Sequence, residues 1–217
     1  MQSLSGRDEQ ENRNAGKRYG GYQHEYFVRE PYRKDILSMD VFCHDPVEDL
    51  EGHHMGDDIE DEFILIGKGD DLVKQGRFRE AIALYDRALR IDPENVLTWN
   101  LKGDALNKLD RFAEAVAAFD RALRIEPDHV YAWAHKGDSL YNLKRYNDAL
   151  SAFNRALRSD PQNTFALAMK GMALSDLGNY TEALDCIEQA LRIDPDAEPF
   201  KNAREYVLAL IQNRDSR

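Results

Sequence analysis

From residue 62 onward the apolar positions fall at helical spacing, one face at a time. Over 96–109, Trp99, Gly103 and Leu106 share a stripe at i, i+4, i+7, and over 113–125 Ala115, Phe119, Ala122 and Leu123 do the same. Between the two stripes stand breakers or polar residues: Gly76, Asp110, Lys144-Arg145 and Gly178-Asn179 in successive stretches. A proline follows the second stripe. It lacks a backbone donor and disfavours helix in the residue before it, so it ends that helix. The pattern predicts pairs of helices joined by tight turns.

These pairs repeat. Pro93, Pro127, Pro161 and Pro195 recur at one constant interval, and Gly69, Gly103, Gly137 and Gly171 keep the same interval. Ala81, Ala115, Ala149 and Ala183 hold the same register, and so do Ala88, Ala122, Ala156 and Ala190. A large apolar residue recurs at Tyr85, Phe119, Phe153 and Ile187, and RALRIDP (87–93) returns as RALRIEP, RALRSDP and QALRIDP. Small residues let paired helices approach closely, with Phe119 and Trp99 expected to fill the remaining volume. One pair cannot bury its own apolar face, so stacking is obligatory, with about three pairs as the practical minimum.

The residues Trp99, Gly103, Leu106, Ala115, Phe119, Ala122 and Pro127, with their counterparts in the other units, resemble the tetratricopeptide repeat (TPR). The resemblance implies an all-α solenoid of helical hairpins. Four repeats are expected at 62–95, 96–129, 130–163 and 164–197, followed by a capping helix over 198–213. Phe200, Ala203, Val207 and Leu210 form the stripe of that last helix, and no glycine stands at 205, where a fifth repeat needs one. Leu65 and Leu167 replace the tryptophan in the outer units, and Lys68, Lys102, Lys136 and Lys170 occupy a place where leucine is commoner in the family.

Charge divides the chain further. Its net charge is −11, yet residues 35–62 hold eleven acidic and no basic residues, while 1–34 carry +2 and 63–217 carry −2. The acidity therefore sits in one short block, read as an extended linker. This gives 1–56 as an N-terminal arm with acidic linker and 57–217 as the folded domain. In the arm, Tyr19, Tyr22, Tyr26, Phe27 and Tyr32 interleave with Lys17, Arg18, Arg29, Arg33 and Lys34. Three readings stay open for it: a flexible tail, a single-strand nucleic-acid contact, or self-docking on the domain's groove. Overall acidity argues against a general nucleic-acid binder. Cys43, His44, His53 and His54 have metal-ligand chemistry, but their spacing matches no closed zinc site, and no metal is expected. Two distant cysteines, no apolar run of about 18 residues and no visible secretory signal suit a cytoplasmic protein without a membrane span.

The resemblance implies a concave groove lined by the first helix of each repeat. Carried over by position, its partner-contacting residues are Asp70; Leu97, Asn100, Leu101, Asp104, Asn107 and Lys108; Tyr131, His135, Asp138, Tyr141 and Asn142; and Phe165, Met169 and Met172. Asp70, Asp104 and Asp138 recur on one line, which favours a cationic or extended partner segment. Local pairing of each aspartate is the competing reading, as is packing between repeats for Phe165. A TPR subclass grips chaperone C-terminal carboxylates through Lys, Asn and Arg. The matching positions here (Ile66, Asp70, Leu101, Tyr131, His135, or Asn100, Asp104, His135, Phe165, Met169) lack the basic pair, so no carboxylate clamp is expected. Arg87, Arg90, Arg121, Arg124, Arg155, Arg158 and Arg192 form a stripe on the second helices. Asp86, Asp120 and Glu188, four residues before Arg90, Arg124 and Arg192, are expected to pair with them and leave a solvated face. No phosphate-cradling loop, nucleophile elbow or HExxH is present, so no catalytic residue and no cofactor are expected. The function implied is a non-enzymatic protein-interaction adaptor; the alternative is a regulatory subunit acting through the arm.

Overall fold

The computed structural model describes residues 61–215. The arm, the acidic block with Cys43, His44, His53 and His54, and the expected domain boundary lie outside the described residues. Among the described residues the regular structure is helical: α1 (Glu62–Lys74), α2 (Phe78–Ile91), α3 (Val96–Lys108), α4 (Phe112–Ile125), α5 (Val130–Asn142), α6 (Tyr146–Ser159), α7 (Thr164–Asp176), α8 (Tyr180–Ile193) and α9 (Glu198–Asp215). Each helix packs against the next in sequence, and the odd-numbered helices α3, α5 and α7 also touch in turn.

Local signals set these boundaries. The side chains of Asp61, Asn95, His129 and Asn163, at equivalent places in the four repeats, accept a backbone N–H in the first turn of α1, α3, α5 and α7. That satisfies donors a helix start otherwise leaves open. Each hairpin turn holds one residue at positive φ: Gly76 (75°), Asp110 (56°), Lys144 (59°) and Gly178 (82°). The following amide then bonds back to the first helix, as Arg111 N does to Leu106 O at 3.0 Å and Arg145 N to Leu140 O at 2.9 Å. This is the six-to-one bond of a Schellman stop. The residue before each proline that closes a repeat is forced extended, as at Asp92 (φ −123°, ψ 95°) and Glu126 (φ −122°, ψ 92°).

Packing explains the glycine register. A Cβ on Gly103 would lie 2.6 Å from the Phe119 ring, and one on Gly137 2.5 Å from Phe153. The hairpins close onto rings that no side chain could share. Tyr85, Phe119, Phe153 and Ile187 are completely buried there, with the two alanine series around them. Ala203 and Val207 of α9 cover Cys186 and Ile187 of α8.

Two sequence expectations change. Trp99 packs against the core from its edge, not within it, where Phe119 and Leu106 are fully buried. Its indole lies partly exposed, with Nε1 donating to the Pro93 carbonyl at 2.8 Å, and Trp133 does the same to Pro127 at 2.7 Å. An indole N–H needs an acceptor, and the carbonyl before the next helix supplies one. Asp86 and Asp120 also turn away from the expected arginines. They bond Lys102 (2.5 Å) and Lys136 (2.6 Å) of the following repeat. These are the lysines standing in the family's leucine position.

Candidate functional site

Adjacent first helices are bridged by polar side chains. Tyr131 on α5 donates its hydroxyl to Asp104 on α3. His135, one turn further along α5, places Nδ1 3.9 Å from the other Asp104 oxygen. The His135 ring lies 3.9 Å, centroid to centroid, from Tyr131 and 5.0 Å, nearly parallel, from Phe165 on α7. Ser139 Oγ donates to Asn107 Oδ1 at 2.8 Å. Asp104, Asn107, Tyr131, His135 and Phe165 thus form one continuous seam across three repeats.

The three aspartates of the expected ladder sit in different company. Asp70 accepts the Tyr85 hydroxyl of its own hairpin at 2.7 Å. Asp138 accepts from Asn142 Nδ2 at 3.2 Å, one turn along the same helix. Desolvation pushes both Asp104 and Asp138 up to about 7. At Asp104 the Tyr131 bond and Lys108 pull downward and Asp138 pushes upward; at Asp138 the Asn142 bond pulls downward. Burial raises Asp70 also. Asp104 and Asp138 are therefore only partly ionised near neutrality.

The other expected groove residues divide by burial. Asn100, Asn107, His135, Asp138, Phe165, Met169 and Met172 are buried, while Leu97, Leu101, Asp104, Lys108, Tyr131, Tyr141 and Asn142 are partly open. Leu101 packs on the Leu65, Ile66 and Ala88 cluster, Phe165 and Met169 on the core of the third hairpin, and Met172 on that of the fourth. Asn100 Oδ1, Asp104 Oδ1 and Asn107 Nδ2 have no hydrogen bond within the protein. Three participants escaped sequence reasoning. Tyr85 reads as a core aromatic, yet its hydroxyl reaches Asp70. Ser139 signals itself as a hydroxyl where Ala105 and Ala173 stand in the flanking repeats. Asp176, which accepts the Tyr141 hydroxyl, falls outside the register of the aspartate ladder and occupies the place of Lys108 and Asn142. No cluster able to hold a metal occurs among the described residues, and no described helix is long and apolar enough to cross a membrane.

Hairpins of this length, closed on a glycine and an aromatic and stacked at one constant period, define a TPR solenoid. Tetratricopeptide-repeat profiles match residues 66–130, 108–164 and 140–205. The chain belongs to the tetratricopeptide repeat family, a family of protein-interaction modules. No curated protein sequence matches it. Among solved structures, MamA (residue 41 to the end) from Desulfovibrio magneticus RS-1 superposes with a TM-score of 0.65 at 19% identity, covering 72% of this chain and 89% of that fragment. YrrB, described as a TPR protein with an unusual peptide-binding site, gives 0.58 at 25% identity, covering 71% and 80%. A TPR protein of Thermus thermophilus gives 0.61 at 20% identity, covering 69% and 82%.

Proposed function

We propose that the protein is a non-enzymatic adaptor whose first-helix face holds an extended, cationic segment of a partner protein. The observation that carries this is the carboxylate pair of Asp104, partly buried, and Asp138, buried, set in an aromatic seam beside polar atoms with no internal partner. Keeping a carboxylate out of water costs stability, and asparagine would serve a purely structural place without that cost. A lysine or arginine side chain arriving at the seam adds counter-charge to that of Lys108. Tyr131 and Leu97, partly open, supply apolar contact. YrrB, of similar fold, is described as binding peptide, which supports a segment rather than a small molecule as ligand.

The test uses the full chain and a labelled, extended lysine-rich peptide. Changing Asp104 and Asp138 together to Asn should weaken binding about tenfold or more. Binding to the unaltered chain should strengthen between about pH 6 and about pH 8, because ionisation of both carboxylates prepares the site. Unchanged affinity in the double variant would refute the reading.

A further inference from the structure

A second surface lies on the second-helix side. There α4, α5 and α6 enclose an open cleft of about 320 Å³. Its floor is apolar: Val116, Leu140 and Ala152. One wall is the Trp133 indole, held by its bond to Pro127. Arg155 lies 5.8 Å from the ring centroid and Lys136 4.9 Å. Lys136 is committed to Asp120, and Arg145 at the rim to Asp148 at 2.7 Å. Three cations and two carboxylates line the cleft, so one positive charge is in excess. It falls to Arg155, exposed and against the indole.

The same construction occurs one repeat earlier. Trp99 is held by Pro93, Lys102 lies 5.1 Å and Arg121 5.2 Å from its ring, Lys102 bonds Asp86, and Arg111 bonds Glu114. Ile82, Leu106 and Ala118 stand where Val116, Leu140 and Ala152 form the floor. The outer repeats break the set, because leucine replaces each tryptophan and Gln189 replaces the arginine at the fourth. The arginine stripe is thus not balanced by Asp86 and Asp120. The aspartates expected to balance it are drawn off by Lys102 and Lys136.

The geometry points to a second docking site, formed by the Trp133 cleft and the matching set of side chains around Trp99, for an acidic segment carrying apolar side chains. A carboxylate meets Arg121 or Arg155 at the rim, where a planar guanidinium offers two parallel donors. The adjacent apolar side chain covers the floor beside the indole. An extended segment alternates these two side-chain directions, and the like set of side chains one repeat earlier rewards a segment that repeats the pattern. Charge selects the occupant: a basic segment meets the excess cation and is excluded.

The chain has two tryptophans, and they are Trp99 and Trp133, so tryptophan emission, excited selectively over the tyrosines, comes from this site. The full chain is titrated with the synthetic peptide acetyl-Glu-Leu-Glu-Phe-Glu-Leu-Glu-amide and with its lysine counterpart. The acidic peptide should change tryptophan emission saturably, and the effect should fall with added salt. The lysine peptide should leave emission unmoved. Arg121→Gln with Arg155→Gln should raise the calorimetric dissociation constant of the acidic peptide about tenfold or more, whereas Asp104→Asn with Asp138→Asn should leave it unchanged. No change of emission with the acidic peptide, or equal affinity in the arginine variant, overturns the site. Loss of acidic-peptide binding in the aspartate variant would place that binding on the first-helix face and overturn it too. Failure here leaves the first-helix reading standing, because that reading is tested with the opposite charge.

Discussion

Asp138 is 4% exposed and its carboxyl is pushed up to about 7 by desolvation. Its folded value lies above the ordinary carboxylate value, so the folded state holds a proton that the unfolded chain releases. The stability tied to that proton is fully present below about pH 4 and is lost as pH rises through about 7. Asp138→Asn should therefore stabilise, by on the order of 1 kcal/mol or more at pH 8 and by less at pH 5. Denaturant melts at the two pH values would check this, and a gain that does not grow with pH would refute the cause. Lys144 is a second residue held at a cost. Its φ of 59° is unfavourable for a side chain with a Cβ. Gly76 and Gly178 occupy the matching turns without strain. Lys144→Gly should raise stability by about 0.5–1 kcal/mol after glycine's entropy cost. The same change at Asp110 should gain less, since aspartate tolerates that region.

At the scale of elements, the hairpin was plain in the sequence. Glycines, alanines and prolines in one strict register leave one way to place two helices. The caps Asp61, Asn95, His129 and Asn163 obey the same register but differ in residue type, and identity-based alignment passes over them. Cross-repeat partners were harder still. Asp86 and Arg90 are neighbours along one helix, so sequence favours that pair. Yet Lys102, on the next hairpin, is brought against Asp86 by stacking, and Tyr131 reaches back to Asp104 from the hairpin after it. Such pairings depend on how one hairpin rotates on the next, which no local pattern encodes. The caps give a sharp contrast for mutation. Asn95 accepts from Thr98 N at 2.8 Å and also donates to Glu62 at 2.5 Å, tying α3 to α1. Asn95→Ala should destabilise by about 1–2 kcal/mol. Arg111, which starts α4, makes no side-chain cap and only an exposed ion pair, so Arg111→Ala should be close to neutral in the same melt.

Across the whole described molecule, stability is a chain of nearest-neighbour interfaces. The last is α9 on α8, where Ala203 and Val207 shield Cys186. Burial raises the Cys186 thiol above its ordinary value, which keeps it from forming a reactive thiolate. In a Cys43→Ser background, removing residues 197–217 should turn Cys186 from slow to fast in thiol labelling under native conditions. It should also lower the melting temperature, since an apolar face is left in water. Labelling that stays slow would mean that α8 protects the thiol without help from α9.

The cap at His129 sets it apart from Asn95 and Asn163. His129 Nδ1 accepts from Ala132 N at 3.2 Å, and an imidazole can do so only while neutral. Desolvation lowers its pKa, with Glu126 opposing. The contribution is present above the ordinary histidine value of about 6.5 and vanishes as pH falls through the lower folded value. Acid thus acts as a wedge driven into the waist of the spring, between two hairpins on either side. Neither half reaches the roughly three hairpins a stack needs to stand alone. A break at the waist therefore unravels the whole coil, where fraying at an end would cost only a turn. His129→Asn should shift the acid unfolding midpoint downward, and amides at the start of α5 should be the first in the unaltered protein to lose hydrogen-exchange protection as pH falls.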